Sequence, residues 1–217
     1  MTTTANAAQP NDALQRIGLF GGAFDPPHLA HHALAQAAVQ QFALDRLWVM
    51  PTGQAWHKSR TLTPATHRLA MAQLAFQDLP KVQVDDREMR RTGPTYTFDT
   101  LTELKAQHPQ AQLFLFIGSD QVQAFQSWHQ WQGILSLATV VEARRHASDP
   151  QWHNRGHENT VVSAVLHMPD MPCNATEIRA SMTQQQPLTH WLSPAVWQYI
   201  QQHGLYLSPL PQHLKPT

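Results

Sequence analysis

The chain has 217 residues, and 42% of them are apolar, which is enough for one compact domain with a substantial core. Lysine plus arginine and aspartate plus glutamate number 15 each, so the formal net charge is zero. This balance argues against a long nucleic-acid track and against a membrane-binding surface, whereas a small anionic ligand needs only a few local positive groups.

Cysteine usage and the chain ends indicate where the protein works. Cys173 is the only cysteine, which excludes an internal disulfide and a cysteine-based zinc cage and favours a reducing, cytoplasmic setting. The polar N-terminus lacks the basic start and apolar run of a signal peptide, and no apolar run approaches the ~20 residues of a membrane span. We therefore expect a flexible tail at 1–13, one domain at 14–208 and a second tail at 209–217.

Strand and helix patterns alternate through most of the chain. Strands are predicted at 16–20, 47–50, 81–84, 113–117, 139–143 and 160–166. Helices are predicted at 29–42, 64–78, 96–108, 174–182 and from 194 until Gly204, with Thr95 as the cap of the helix at 96–108. Short helix and loop are predicted at 122–137, and a loop at 147–159. This alternation predicts an α/β fold with a parallel sheet and right-handed crossovers, in which ligands bind beyond the carboxyl ends of the strands.

A glycine-rich stretch joins the first strand to the first helix. Gly21 and Gly22 leave no side chain between backbone and ligand, and they tolerate positive φ. If the helix begins near Pro27, His28 and His31 lie on one face of its first turn, beside backbone N–H groups that suit an anion. Imidazole N–H groups can stabilise developing charge on a phosphate, so the stretch predicts phosphate chemistry. A surface helix in a histidine-rich protein is the alternative, and a metal site is weaker because no acidic or cysteine partner has suitable spacing.

Other polar residues follow predicted strands or open helices. Lys58 lies in a loop after the second strand, where a flexible ammonium can follow a triphosphate. Arg179 comes five residues after the capping residue Asn174, and its guanidinium can clamp a phosphate. Gly118 permits close approach of a nucleoside, and the Asp120 carboxylate can accept from ribose hydroxyls. Each also has a structural interpretation, as an exposed lysine, an ordinary helix arginine or a turn.

Two motifs carry a resemblance to a known superfamily. Residues 21–31 resemble the G-x-F-D-P-x-H-x-G-H signature of nucleotidylyltransferases, and residues 174–179 resemble their second signature, I-S-x-T-x-x-R. The middle motifs, in order, are similar to those of the bacterial nicotinate-nucleotide adenylyltransferase family, at 51–58, 87–90, 94–97, 117–120, 127–128 and 199–206. The resemblance covers 16–206. Ala30 replaces the glycine between the histidines, Asn174 replaces the serine, and His129 replaces an aromatic residue.

This resemblance implies a Rossmann-like doubly wound parallel sheet with a small C-terminal helical part. It implies an enzyme of NAD biosynthesis that joins nicotinate mononucleotide to ATP and releases pyrophosphate. Four catalytic residues are implied, namely His28, His31, Lys58 and Arg179. The implied ATP-binding residues are Gly21, Gly22, Phe24, Gly118, Asp120, Asn174 and Thr176, and the implied mononucleotide-binding residues are Thr95, Tyr96 and Trp128.

No metal site made by the protein is expected. Mg²⁺ would arrive with ATP, held mainly by phosphates and water. Asp85, Asp86 and Glu88 are interpreted as structural, with Arg90 and Arg91 as their partners. ATP and nicotinate mononucleotide are the expected partners, without nucleic acid or membrane, and a homo-oligomer is left open.

Three alternatives remain at this point. A same-fold enzyme would act on nicotinamide mononucleotide, phosphopantetheine or glycerol phosphate; the histidine motif does not separate these, but Thr95, Tyr96 and Trp128 favour the acid. A non-catalytic nucleotide-binding regulator is disfavoured by the presence of both histidines, Lys58 and Arg179. A metal hydrolase using the two histidines would need a tightly bound transition metal.

Overall fold

A computed structural model of the protein describes residues 15–53, 62–144, 161–169, 171–184 and 190–206. Within them, six strands form one parallel sheet in the order β3-β2-β1-β4-β5-β6. The strands are β1 Arg16–Gly22, β2 Arg46–Pro51, β3 Val82–Val84, β4 Gln112–Gly118, β5 Ala138–Arg144 and β6 Ala164–His167. The predicted tails, the loop at 147–159 and Lys58 lie outside the described residues.

Helices follow most of the strands, as the alternating pattern predicts. They are α1 Leu29–Gln41, α2 Ala65–Phe76, α3 Arg87–Arg90, α4 Thr97–Gln107, α5 Ser119–Ala124, α6 Trp131–Leu137, α7 Ala175–Thr183 and α8 Pro194–Gln202, with one 3₁₀ turn at Phe125–Ser127. Side-chain caps begin α7 and α8, where Asn174 Oδ1 and Ser193 Oγ accept from the N–H groups of Glu177 and Val196. No helix in the part of the chain that the structure describes is long and apolar enough to cross a membrane.

The sheet has an apolar layer on each face, which confirms the doubly wound prediction. Along β4, Phe114 and Phe116 pack into the first layer, and Leu113, Leu115 and Ile117 pack into the second. Each helix that covers a face contributes core residues: the first layer contains Leu34, Met71, Ile178 and Ile200 of α1, α2, α7 and α8, and the second contains Leu101, Val122 and Ile134 of α4, α5 and α6. The C-terminal helices therefore belong to the main core.

The last strand is shorter at its start than the predicted 160–166. It begins at Ala164 and continues to His167. Before it, the Ser163 N–H already donates to the Val140 carbonyl of β5 at 2.9 Å, but the continuous ladder starts only one residue later. Val161 is buried in the second layer, so the apolar pattern there reflects burial rather than strand pairing.

The strand order places a crevice at the centre of the sheet. Helical connections leave β1 and β4 in opposite directions across the sheet, so the chain segments that follow these neighbouring strands separate. In doubly wound sheets, ligands bind at this switch point, beyond the carboxyl ends of the strands. Gly21 and Gly22 end β1 and Gly118 ends β4, which puts all three glycines at the edge of the crevice.

A methyl group at Gly18 should destabilise the central strand. An added Cβ would lie 2.6 Å from Leu47 Cδ1, 2.7 Å from Leu44 Cδ1 and 3.0 Å from Phe116 Cε2. We expect Gly18→Ala to lower the free energy of unfolding, measured in urea, by about 1–3 kcal/mol through overpacking. The control Gly21→Ala, on the same strand, meets nothing within 4 Å and should change it by less than about 0.5 kcal/mol. Equal effects of the two variants would contradict this packing argument.

Candidate active site

The glycine turn, residues 21–28, leads from the end of β1 into α1. Its left-handed residue is Phe24, at φ 47°, and neither Gly21 nor Gly22 adopts the positive φ that glycine tolerates. Gly22 instead makes room, because a Cβ there would lie 3.1–3.3 Å from the Phe24 ring. That ring is 1% exposed and packs edge-on against Phe20 and His31, so only the Phe24 backbone could contact a nucleotide.

The two histidines form a stacked pair at the start of α1. The helix begins at Leu29, which confirms the predicted start at 29. His28 is therefore its cap residue, with an extended φ of -138° and ψ of 171°, and not a member of the first turn, where a start near Pro27 would have put it. The His28 and His31 rings nevertheless lie 3.7 Å apart at 25°, which brings the two imidazoles together as predicted.

A hydrogen bond determines the tautomer of His31. Its Nδ1 accepts from the backbone N–H of His28 at 3.1 Å, so the neutral ring carries its proton on Nε2. His28 is 4% exposed, and its Nδ1 lies 3.6 Å from Cys173 Sγ, just before α7. The imidazole pair is therefore held in place by the backbone of one motif and the thiol of another.

Asp25 joins the glycine turn to three distant segments. Its side chain is buried, and its carboxylate accepts from the Tyr206 hydroxyl at 2.6 Å and from the Thr63 N–H at 3.3 Å. Its backbone carbonyl accepts from Arg179 Nη1 at 2.7 Å, across 154 residues of sequence. Arg179 Nη2 also donates to Thr176 Oγ1 at 3.1 Å. The two signature motifs are thus in direct contact.

Asn174 keeps the capping role that a serine would have. Its Oδ1 accepts from the Glu177 N–H at 2.9 Å and begins α7. This leaves the amide nitrogen as the donor end of the side chain. The replacement of serine by asparagine therefore preserves the helix start next to Arg179 and supplies a donor of similar reach.

A cavity of about 350 Å³ opens at the crevice between β1 and β4. Of the predicted site residues it is lined by Gly21, Gly22, Thr95, Tyr96, Gly118 and Trp128. His28 ends the glycine turn, His31 lies in α1, Arg179 lies in α7, and the exposed Asp120 lies in the first turn of α5. The described predicted residues therefore divide into those that line the cavity and those that lie on the glycine turn and these helices.

One part of the cavity, the Glu88–Thr95 wall, is lined by Glu88, Thr95, Tyr96, Trp128 and His129. Tyr96 is the cap residue of α4, so the expected capping by Thr95 is wrong, and Thr95 Oγ1 is buried with no hydrogen-bond partner among the described residues. The Tyr96 and His129 rings lie 4.3 Å apart with a tilt of 34°, and Trp128 packs on Phe125. The rings that line the cavity suit a flat ligand group, and the unpaired Thr95 hydroxyl is a buried polar group without its hydrogen bond beside them.

Glu88 is a wall residue that the sequence did not single out as part of the site. Burial raises the pKa of Glu88 above its ordinary value. The hydrogen bond that its Oε1 accepts from Thr100 Oγ1 at 2.9 Å lowers the pKa, but by less than burial raises it. The neighbouring acidic residues are paired as in a structural cluster: Asp86 with Arg90, as expected, but Asp85 with Arg87. Among the described residues, no three His, Cys, Asp or Glu side chains are grouped so that they could hold a metal ion.

Several further residues support the site without having been predicted. Arg68 and Tyr206 contact the glycine turn directly, and Cys173 contacts His28. Arg68 lies on the buried face of α2 with Met71, Ala72 and Ala75. The sequence did contain a signal for Arg68, because its spacing from the apolar residues of α2 puts it on the buried face of the helix. A cation at such a position needs buried hydrogen-bond acceptors.

Loss of the Tyr206 hydroxyl should destabilise the fold through Asp25. Burial and the Asp25 hydrogen bond raise the pKa of Tyr206 above its ordinary 10.0. We expect Tyr206→Phe to lower the free energy of unfolding by about 1–3 kcal/mol, because a buried carboxylate loses a donor. Because the pKa is raised on folding, the difference in free energy of unfolding between the wild type and Tyr206→Phe has its full value below pH 10 and declines above it.

Tyr199→Phe is the matched control for this measurement. It removes a hydroxyl from α8 that bonds His67 Nδ1 at 2.9 Å, away from Asp25. Its effect should not exceed about 1 kcal/mol. A Tyr206→Phe protein as stable as the wild type in urea would contradict the assigned role of the hydroxyl.

Comparison with known proteins identifies the family. Residues 19–181 match a family model described as cytidylyltransferase-like. A probable nicotinate-nucleotide adenylyltransferase of Albidiferax ferrireducens is 51% identical over 89% of this chain and 98% of its own length. The nicotinate-nucleotide adenylyltransferase of Bacillus subtilis is 33% identical over 90% of this chain and 100% of its own length.

Solved structures share the fold. A Plasmodium falciparum nicotinic acid mononucleotide adenylyltransferase in complex with NaAD has a TM-score of 0.70 at 19% identity, over 88% of this chain and 97% of that chain. The same enzyme in complex with APC has a TM-score of 0.69 at 20% identity, over 88% of this chain and 97% of that chain. These values support the fold, and the sequence relatives confirm the resemblance predicted from the two motifs. This chain belongs to the nicotinate-nucleotide adenylyltransferase family.

Proposed function

We propose that this enzyme transfers the adenylyl group of ATP to nicotinate mononucleotide, giving nicotinate adenine dinucleotide and pyrophosphate in NAD biosynthesis. The observation that carries this proposal is the 2.7 Å hydrogen bond from Arg179 to the Asp25 carbonyl. It assembles two phosphate-binding motifs from opposite ends of the chain beside the stacked histidines. The relatives named nicotinate-nucleotide adenylyltransferase support the choice of substrates.

The reaction needs positioning more than acid–base chemistry. The 5′-phosphate of the mononucleotide attacks the α-phosphorus of ATP in line, a new P–O bond forms, and the bond to the β-phosphate oxygen breaks. The attacking phosphate is already ionised at pH 7, so no general base and no covalent enzyme intermediate are required. Catalysis then consists of alignment and stabilisation of charge on the transferring and leaving groups.

The glycine turn and α7 would supply this stabilisation. The Nε2–H of His31 donates to an oxygen of the transferring phosphate, and His28 packs behind it. Arg179 is anchored by two of its N–H groups, and its charge stabilises the leaving pyrophosphate. Lys58 would add a mobile ammonium, and Asn174 and Thr176 would bind phosphate oxygens at the start of α7.

Nucleoside contacts are assigned to the crevice. Gly21, Gly22 and the Phe24 backbone would let the chain approach the ATP phosphates closely. Gly118 and Asp120, at the end of β4 and the start of α5, would contact the adenosine, with the carboxylate accepting from ribose hydroxyls.

The mononucleotide would bind with its pyridine ring in the cavity. Trp128 offers a ring face, and the N-terminus of α4 presents N–H groups and the Thr95 hydroxyl to the carboxylate. The amide of nicotinamide mononucleotide, bound in the same place, would bring its own N–H groups up to the N–H groups of α4 and the Thr95 hydroxyl. This wall therefore favours the acid over nicotinamide mononucleotide.

Mg²⁺ enters this scheme as part of the ATP substrate. Among the described residues, no three His, Cys, Asp or Glu side chains are grouped as ligands, and we propose that the ion is bound through the nucleotide. The ion would be held by phosphate oxygens and water and would neutralise part of the triphosphate charge. We further propose a cytoplasmic location and a single domain at 14–208, with a homo-oligomer left open.

The substrate choice can be tested with purified enzyme, MgATP and each mononucleotide. We expect kcat/KM, from pyrophosphate release, to be at least about 10²-fold higher for the acid, because the amide leaves buried donors unpaired. Thr95→Val should lower kcat/KM for the acid about tenfold and so reduce the ratio of kcat/KM for the acid to kcat/KM for the amide. The control Thr102→Val removes an exposed hydroxyl of the same helix, which bonds the Phe98 carbonyl, and should change neither value. A clear preference for the amide would overturn the choice of substrate.

His31 can be tested against its neighbour on α1. His31→Ala should lower kcat by about 10²–10³-fold, since it removes a donor to the transferring phosphate, and leave the fold intact by circular dichroism. His32→Ala removes a partly buried imidazole that pairs with Asp78 at 3.0 Å and should leave kcat unchanged. Near-normal turnover of His31→Ala would show that this imidazole does not act on the reacting group.

A further inference from the structure

Arg68 is a buried cation that donates to three separate backbone carbonyls around the active site. It is 2% exposed, near the start of α2. Its Nε donates to the Thr63 carbonyl at 2.9 Å, Nη1 to the Ala23 carbonyl at 2.9 Å and Nη2 to the Gly53 carbonyl at 3.3 Å. A planar guanidinium presents its N–H donors in a rigid fork, so these carbonyls are held in one fixed arrangement.

The contact with Ala23 orients the glycine turn. In a planar trans peptide the C=O and the following N–H point in opposite directions. Since the Ala23 carbonyl points at Arg68, the Phe24 N–H points away from α2. The bond therefore fixes the direction of a backbone donor in the turn that carries the proposed phosphate contacts.

The contact with Thr63 reaches the same turn by a second route. The Thr63 carbonyl accepts from Arg68, while the Thr63 N–H donates to Asp25 Oδ2 at 3.3 Å. Asp25 in turn accepts from Arg179 through its own carbonyl. Arg68 is therefore connected to both phosphate motifs, directly at Ala23 and through Thr63 at Asp25.

The contact with Gly53 reaches the mononucleotide side of the cavity. Gly53 packs so closely that an added Cβ would collide with the Glu88 carbonyl oxygen and lie 3.3 Å from Thr95 Cγ2. Glu88 and Thr95 both line the cavity. A shift of Gly53 is thus transmitted to the wall proposed to bind the nicotinate.

We infer that Arg68 is a positioning residue that sets the distance between the glycine turn and the Glu88–Thr95 wall, and so aligns the two substrates for in-line attack. It does not line the cavity and acts through Ala23, Gly53 and Thr63. The inference rests on the proposed function for its account of the substrates, but the geometry that it explains belongs to any reaction between a nucleotide and this cavity. Misplacement by about 1 Å can cost 10²-fold in rate.

The test compares Arg68→Lys with Arg16→Lys. Lysine keeps the charge of Arg68 but, as a point donor, cannot hold three carbonyls. Arg16 also donates to a carbonyl, that of Phe42 at 2.8 Å, at the opposite end of β1, so its replacement is the matched structural control. For each variant, kcat, both KM values, the melting temperature and the Kd of α,β-methylene-ATP are measured.

Arg68→Lys should lower kcat by about 10–100-fold and weaken α,β-methylene-ATP binding by about tenfold, whereas Arg16→Lys lowers only the melting temperature. Methylguanidinium at tens of millimolar should restore part of the turnover of Arg68→Ala, and methylammonium should not. Unchanged kcat and Kd in folded Arg68→Lys would overturn the inference and leave Arg68 a purely structural residue. If Arg68→Ala does not fold, Arg68→Lys decides alone.

Failure of the proposed function remains distinguishable. If the wild type uses a different mononucleotide, kcat and KM of each variant are compared with those of the wild type on that substrate. If it turns over none, the proposed function fails, and the binding of α,β-methylene-ATP to Arg68→Lys and Arg16→Lys still decides whether Arg68 orients the glycine turn.

Discussion

The buried carboxylate and carbonyl of Asp25 are the point on which the site depends. One residue accepts from Tyr206 near the C-terminal end of the described chain, from Thr63 before α2 and from Arg179 on α7. A buried carboxylate is costly without donors, and Tyr206 and Thr63 supply them, while Arg179 pairs with the backbone carbonyl of the same residue. The packing of the C-terminal segments therefore stabilises the glycine turn directly.

The candidate site has two parts, the buried glycine turn and the open cavity. Around the turn, side chains are buried and hydrogen-bonded: Phe24 and His28 are almost fully covered, and Arg68 and Arg179 donate to backbone carbonyls. Across the crevice, the cavity keeps an unpaired Thr95 hydroxyl and aromatic faces. Our proposal thus assigns phosphate chemistry to the buried, hydrogen-bonded turn and recognition of the second substrate to the open cavity.

Residues with a strong local pattern were predictable, and residues that act across the fold were not. Buried apolar runs and helix caps such as Ser193 and Asn174 located the sheet and most helices, because local propensity and packing agree there. The start of α1 at Leu29 was predicted, whereas the cap residue of α4 is Tyr96 rather than Thr95, whose buried hydroxyl makes no hydrogen bond among the described residues. Tyr206 and Cys173 could not be assigned from spacing, since their partners Asp25 and His28 lie 181 and 145 residues away.

The hydrogen bond at His31 agrees with the proposal that this imidazole acts as a hydrogen-bond donor and not as a base. Acceptance from the His28 N–H at Nδ1 requires that nitrogen to be unprotonated, so the ring is neutral and holds its proton on Nε2. A neutral donor stabilises charge as it develops on phosphate oxygens but does not bind the ground-state anion as tightly as an imidazolium would. Permanent positive charge comes instead from Arg179, which is anchored to Asp25. The separation of a neutral donor from a fixed cation suits a reaction in which the nucleophile is already ionised and only the transition state needs additional stabilisation.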